Sequence, residues 1–162
     1  MCKNIYKLID LRQKKCYYNY GDFVKYLGLD LGTKTLGISK SSGVIATAYK
    51  TLRHDDDYNY LIQELGKIIE ELKVDKIVLG YPKNMNNTLS EMTNKVLEFK
   101  NMLEKKYEIE VILEDERLTS KISNAVLIKG DLSRKKRKNV VDGVASTVIL
   151  QSYLDRCRKD KI

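Results

Sequence analysis

The chain has 162 residues, of which 43% are hydrophobic and 32% are charged, and its net charge is +8. That length suits one domain with a substantial core, and the composition is that of an ordinary globular protein. No apolar run approaches the ~18–20 residues of a membrane span, and the N-terminus lacks the apolar stretch of a signal peptide. Three cysteines without CxxC spacing favour neither a disulfide framework nor a zinc site, and so favour a reducing cytoplasm.

The positive charge is concentrated at the two ends of the chain. Residues 1–24 carry a net charge of +3 and residues 129–162 carry +6, whereas residues 25–128 carry −1. Phosphate contacts dominate the affinity of proteins for nucleic acids, so basic ends on a near-neutral body favour a nucleic-acid partner. The alternative is a solvated, lysine-rich surface that aids solubility.

The elements can be predicted in chain order. Residues 1–24 are polar and rich in tyrosine, and we treat them as an extension that precedes a domain at 25–162. Strands are predicted at 25–31, 35–40, 44–52, 75–80 and 109–113. Helices are predicted after the aspartates at 55–57, after the Thr88/Glu91 capping box, and over 118–128 and 140–156, with a polar loop at 130–138.

This order predicts an α/β protein. Three consecutive strands indicate an antiparallel meander, and the strands that alternate with helices indicate parallel neighbours in the same five-stranded sheet. In open α/β sheets, sites form outside the carboxyl ends of the strands. Asp30, the Gly80–Tyr81–Pro82 turn and Glu116 all follow or end predicted strands, so we expect them to converge at one edge of the sheet.

Three acids in or beside apolar segments are the candidate chemical groups: Asp30, Glu116 and Asp142. Each also has a structural explanation. Asp30 could bond the amides of the following turn, and Glu116 could belong to a solvated acidic patch. Asp142 could cap a helix, since Asn139 as N-cap would place it at N3. Three independent coincidences would be needed for all of these explanations to hold together.

Grouped carboxylates suit phosphodiester hydrolysis. Two divalent cations roughly 3.5–4 Å apart can activate water, stabilise the leaving oxygen and neutralise phosphate charge. Mg²⁺ prefers oxygen ligands, so three carboxylates without a histidine or cysteine cluster match it. His54 is the only histidine, and because it precedes three aspartates in a loop we expect it to face solvent.

Four segments resemble the YqgF family, also called RuvX, of bacterial RNase H-like nucleases. The segments read LDLGTKTLG at 29–37, GYPKNM at 80–85, DERLTS at 115–120 and VDGVASTVILQSYL at 141–154. The resemblance implies an RNase H-like fold in which Asp30, Glu116 and Asp142 are catalytic acids that bind Mg²⁺ or Mn²⁺, with two ions expected. Where the family usually has a glycine after the Asn-Met pair, residues 86–88 read Asn-Asn-Thr, so that turn is expected to differ.

The resemblance also suggests residues that bind substrate. Lys34 and Arg117 stand beside two of the acids and are expected to contact phosphates, although Arg117 could equally orient Glu116 through an ion pair. Hydroxyl contacts from Thr33 and Thr119 and a groove-lining role for Asn84 are further expectations. The basic run is interpreted as a phosphate clamp, with a solvated loop as the alternative; it consists of Arg134, Lys135, Lys136, Arg137 and Lys138.

Several functional alternatives stay open at this point. The family implies maturation of the 5′ end of pre-16S rRNA, whereas its older naming implies cleavage of Holliday junctions, which would need two sites in a symmetric homodimer. A non-catalytic nucleic-acid or ribosome-binding module is a third reading. An actin-like or sugar-kinase ATPase shares the Asp-x-Gly-Thr turn, but it would need a second phosphate hairpin that this chain lacks. RNA and DNA substrates cannot be distinguished from the residues.

Overall fold

The computed structural model describes residues 24–82, 91–115 and 134–159, and for 134–142 it describes the backbone alone. Nearly all of the predicted N-terminal extension, and the helix predicted at 118–128, therefore lie outside the described residues. The elements are β1 (Tyr26–Leu31), β2 (Thr35–Ser41), β3 (Thr47–Arg53), α1 (Tyr58–Leu72), β4 (Lys76–Tyr81), α2 (Glu91–Tyr107), β5 (Glu110–Asp115) and α3 (Arg134–Lys159).

The strands form one mixed sheet in the order β3-β2-β1-β4-β5. β1 pairs with β2, and β2 with β3, in antiparallel fashion, whereas β1–β4 and β4–β5 are parallel. This confirms the predicted meander followed by parallel strands. β1 lies at the centre of the sheet, so Asp30, near its end, has neighbouring strands on both sides.

β3 begins at Thr47, three residues later than predicted, because the segment before it bonds to α3 instead of β2. The side chain of Gln151 accepts from the amide of Ala46 at 2.9 Å and donates to the carbonyl of Val44 at 3.1 Å. These bonds satisfy backbone groups that would otherwise extend the ladder. The side chain of Ile45, between the two anchored residues, is 71% exposed.

A bulge interrupts the β2–β3 ladder between Ile38 and Ser39. Ile38 is paired with Lys50, but Ser39 is paired with Ala48, so Tyr49 is the extra residue. The Tyr49 ring lies under the ammonium of Lys40, and its hydroxyl is 3.4 Å from a carboxylate oxygen of Glu71 on α1.

One face of the sheet is covered by α1 and α2. The Asp57 side chain accepts from the Tyr60 amide at 3.0 Å, and α1 begins immediately after it, which confirms the expected acidic helix start. The apolar side chains of both helices pack onto alternate residues of the strands. The largest fully buried members of this core are Leu27, Leu29, Leu36, Ile38, Leu61, Leu65, Ile77, Leu79, Phe99 and Leu103.

The other face is covered by α3, which begins at Arg134 and not at residue 140. The basic run at 134–138 is therefore helical, and the prediction of a loop there is wrong. Lys and Arg are good helix formers, and only Asn139 stands between the run and the apolar pair Val140 and Val141. Asn139 lies inside the helix, so it cannot be the N-cap that would make Asp142 a capping acid.

α3 lies unusually close to the sheet where it crosses β1. A methyl group added at Gly28 would come within 2.3 Å of Ser39 Oγ, 2.7 Å of Leu150 Cβ and 3.0 Å of the Ser146 carbonyl. The Ser39 hydroxyl donates to that carbonyl at 2.8 Å, which ties β2 to the helix. Small residues on both sides thus allow backbone to approach backbone.

Cys157, near the end of α3, is only 8% exposed. It belongs to the smaller core on this face of the sheet, together with Tyr26, Val78 and Leu150.

We expect Gly28→Ala to lower the free energy of unfolding by about 1–3 kcal/mol, since the new methyl would overpack the α3–β1 contact. Gly143→Ala is the matched control on the same interface, because among the described residues its methyl would meet only Ala48 Cβ, at an ordinary 3.5 Å. That control should be neutral or stabilising by about 0.5–1 kcal/mol, as alanine favours a helix interior. Urea unfolding of both variants is the measurement, and equal effects would contradict the close-approach argument.

Candidate functional site

Asp30 lies on the face of the sheet that α3 covers. Its neighbours Leu29 and Leu31 belong to the α1/α2 core, whereas Gly28 contacts residues of α3. Successive strand residues point to opposite faces, so Asp30 shares the face of Gly28. Its side chain is partly buried. A carboxylate in this position needs compensating charge or hydrogen bonds.

The residues beside Asp30 on the two neighbouring strands are glycines. Gly37 is directly opposite Asp30 on β2. On β4, Leu79 is opposite Leu29, so the next residue, Gly80, continues the row of Asp30. Neither neighbouring strand therefore places a side chain beside the Asp30 carboxylate in this row.

The turn after β1 presents two of the predicted substrate-binding residues to solvent. Thr33 and Lys34 are both exposed. The Gly32 amide donates to the Thr35 carbonyl at 2.8 Å, which closes the turn, and the Lys34 carbonyl accepts from the His54 amide at 2.9 Å. The turn is therefore fixed to the end of β3, and its exposed side chains stand at the same edge of the sheet as Asp30.

His54 is buried beside this turn, so the expectation that it faces solvent is wrong. It is only 5% exposed, and its ring packs edge-on against Tyr58 at 6.0 Å between centroids. Its Nδ1 accepts from the Asp56 amide at 3.2 Å, and Nε2 has no hydrogen-bond partner among the described residues. Burial also raises the pKa of the adjacent Tyr58. The His54 ring is buried because it packs against Tyr58, although the three residues that follow it are polar aspartates.

Glu114 is a buried acid that the sequence interpretation missed. It is 6% exposed and is paired with Gly80, in the same row as Asp30. Its carboxylate accepts from the Ser152 hydroxyl at 3.2 Å and from the guanidinium of Arg156, both on α3. These bonds hold the carboxylate against the helix. The signal was the alternation of β5, in which Glu114 shares a face with Ile112.

Asp115 and Asp30 belong to opposite faces of the sheet. Asp115 is paired with Tyr81, and both follow the alternation of Leu79 and Leu113, which pack toward α1 and α2. This register argues against Asp115 as a partner of Asp30. Glu116, the next residue along the chain, lies outside the described residues.

α3 crosses the sheet from β3 to β5. Gly143 lies beside Ala48 on β3, Ser146 lies over Gly28 and Ser39, and Arg156 reaches Glu114 on β5. Asp142 lies one turn before Ser146, on the part of the helix nearest β2 and β3. Its side chain and those of the basic run 134–138 lie outside the described set.

The remaining predicted site residues also lie outside the described part of the chain. They are Asn84, Arg117 and Thr119. Among the described residues, no group of three or more histidine, cysteine, aspartate or glutamate side chains is placed to hold a metal ion. Two of the three predicted metal-binding acids, Glu116 and Asp142, are not represented by side chains in that set.

Comparison with solved structures defines the class of fold. The chain superposes on Thermus thermophilus RuvC in complex with a Holliday junction substrate with a TM-score of 0.55, at 10% identity, over 82% of this chain and 96% of that one. A second Thermus thermophilus RuvC structure matches with a TM-score of 0.50 at the same identity and coverage. The protein therefore has the RNase H-like α/β fold of these resolvases.

Comparison with families and relatives is more specific. Residues 24–156 match the family described as RuvX: Holliday junction resolvase. A Geobacillus sp. (strain WCH70) protein named "Putative pre-16S rRNA nuclease" is 46% identical over 82% of this chain and 98% of its own length. A Clostridium tetani protein of the same name is 47% identical over 82% of this chain and 96% of its own. The chain therefore belongs to the RuvX family. Separately, no described helix is long and apolar enough to span a membrane.

The Glu114–Arg156 ion pair is expected to contribute to the stability of the fold. Arg156→Met would remove one of the two described partners of the buried Glu114 carboxylate and leave the Ser152 hydroxyl. We therefore expect the free energy of unfolding to fall by about 1–2 kcal/mol, a value kept low because the arginine is half exposed. The double variant Glu114→Gln/Arg156→Met should lose less than the sum of the single variants. Urea unfolding of the full cycle tests this, and strict additivity would argue that the two groups do not interact.

Proposed function

We propose that this protein is a metal-dependent nuclease that hydrolyses phosphodiester bonds and matures the 5′ end of pre-16S rRNA. The observation that supports this most directly is Asp30, an acid at the carboxyl end of the central strand with glycine on both sides. Sites in open α/β sheets form at that edge. The names of relatives at 46–47% identity support the choice of substrate.

The donor set suits a hard divalent cation. Asp30 offers carboxylate oxygens in a row where both neighbouring strands have glycine, and oxygen ligands are what Mg²⁺ and Mn²⁺ prefer. In this proposal Asp30, Glu116 and Asp142 would hold the metal, with two ions expected. When bound, such ions supply an activated water and neutralise the charge of the phosphate.

The protein's own residues would position the substrate. Lys34 and Thr33 stand exposed on a turn that is held by backbone bonds, so they can contact phosphate oxygens without ordering the loop first. We propose phosphate or groove contacts for the other predicted residues as well. These are Asn84, Arg117, Thr119, Arg134, Lys135, Lys136, Arg137 and Lys138.

A second candidate function is Holliday-junction resolution. The family description and the RuvC complex favour it. It would require a homodimer with two sites related by symmetry. A non-catalytic nucleic-acid or ribosome-binding module is the third candidate. For the favoured function we also propose a cytoplasmic location, where precursor rRNA is available, and a nucleic-acid-binding role for the basic extension at 1–24.

We expect Asp30→Asn to reduce kcat by about 10³-fold or more while leaving the fold intact, since metal-assisted hydrolysis is worth several kcal/mol. Glu114→Gln is the matched control, because Glu114 lies in the same row but is bound to α3. That variant should keep most of its activity and lose stability instead. Single-turnover cleavage with Mg²⁺, together with circular dichroism, separates the two outcomes. Undiminished cleavage by Asp30→Asn would contradict the catalytic assignment.

The substrate is tested by a side-by-side assay. A pre-16S 5′ leader RNA and a synthetic four-way DNA junction are incubated with the protein in Mg²⁺ or Mn²⁺. We expect cleavage of the RNA at the mature 5′ end and slower cleavage of the junction. Preferential, symmetric cleavage of the junction would favour the resolvase, and binding without cleavage of either would favour the non-catalytic module.

A further inference from the structure

Arg53, the last residue of β3, lies on the same face of the sheet as Asp30. It is paired with Thr35, and the preceding pair, Leu52 with Leu36, belongs to the α1/α2 core. Alternation along the strand therefore assigns Arg53 to the opposite face. Its side chain is exposed.

The sheet register sets the separation between Arg53 and Asp30. Asp30 is opposite Gly37, and Gly37 is opposite Thr51, so Thr51 lies two strands away from Asp30 in the same row. Arg53 lies two residues further along β3. From the usual strand spacing and rise, the two Cα atoms are roughly 12 Å apart. Asp30 and Arg53 are therefore too far apart to contact the same phosphate group. The separation suits contacts to two neighbouring phosphates of one nucleic-acid strand.

Arg53 has no ion pair or hydrogen bond from its guanidinium within the described part of the chain, and the backbone of another exposed cation, Lys34, lies close to the end of its strand. The His54 amide donates to the Lys34 carbonyl, which brings the backbone of Lys34 next to the end of β3. Of the aspartates that follow, Asp56 pairs with Lys95 and Asp57 caps α1, whereas Asp55 is exposed. An anion at this end of the sheet would be attracted by the charges of both Lys34 and Arg53.

We propose that Arg53 is a substrate-binding residue that binds a backbone phosphate on the β3 side of the catalytic acid. This inference rests on the proposed nuclease function and extends its groove past the Lys34 turn toward the edge strand. Guanidinium binds phosphate in a bidentate manner, so the contact would add affinity and register along the strand. A phosphate contact carries no base specificity.

The test measures how binding depends on salt. The probe is a fluorescent RNA that spans the mature 5′ end of pre-16S rRNA, bound to full-length protein in the Asp30→Asn background so that it is not consumed. Adding Arg53→Ala should lower the slope of log K against log salt by about 0.7–0.9. The affinity ratio between parent and variant should accordingly shrink about threefold between 50 and 200 mM KCl.

Lys50→Ala is the matched control. It removes one positive charge from the same strand, but Lys50 is paired with Ile38 and so faces α1. Its slope should equal that of the parent. In the cleavage-competent protein, Arg53→Ala should raise KM and leave kcat nearly unchanged, and Arg53→Lys should recover part of the lost affinity.

The outcomes distinguish this inference from the function on which it rests. If wild type cleaves the RNA and Arg53→Ala has the same slope as Lys50→Ala, the role of Arg53 is overturned and the nuclease stands. If the Asp30→Asn parent does not bind the probe and wild type does not cleave it, both proposals fail.

Discussion

The structure depends on how closely α3 approaches the central strand. The helix reaches the sheet because Gly28 has no side chain, Ser39 and Ser146 are small, and one hydroxyl bonds directly to a helix carbonyl. Small side chains allow the two backbones to approach closely. In the proposed site, an acid on the helix must stand near an acid on the strand. A larger residue at Gly28 would therefore move α3 away from β1, even though Gly28 is not in the row of Asp30.

Alternation along the strands gives neighbouring acids different roles. Asp30 and Glu114 lie on the α3 face in one row, whereas Asp115 belongs to the opposite face. Within the row, Glu114 is bound by Ser152 and Arg156, so its charge is compensated by the helix. Asp30 instead has glycines beside it on both neighbouring strands. Removing one partner of a buried ion pair leaves an uncompensated charge, so Glu114 suits a structural role.

Much of the fold could be predicted from the residues, because apolar spacing and turn composition act locally. The meander, the parallel strands and the acidic start of α1 follow from such patterns. The errors have non-local causes. The burial of His54 depends on Tyr58 packing against it, and the late start of β3 depends on Gln151 from α3. Of the candidate site, Asp30 and its turn could be located in the structure, whereas Glu114 required knowledge of the strand register.

The bulge in β3 has a consequence for the opposite side of the sheet. A regular ladder would continue from the Ile38–Lys50 pair to a Ser39–Tyr49 pair, and Tyr49 would then face α3. The extra residue shifts the register so that Ala48 takes that place, next to Gly143, while the tyrosine ring turns toward Lys40 and Glu71. One inserted residue on an edge strand thus places a small side chain, and not a tyrosine, under the helix. The contact between α3 and β3 therefore depends on a tyrosine that lies on the opposite face of the sheet.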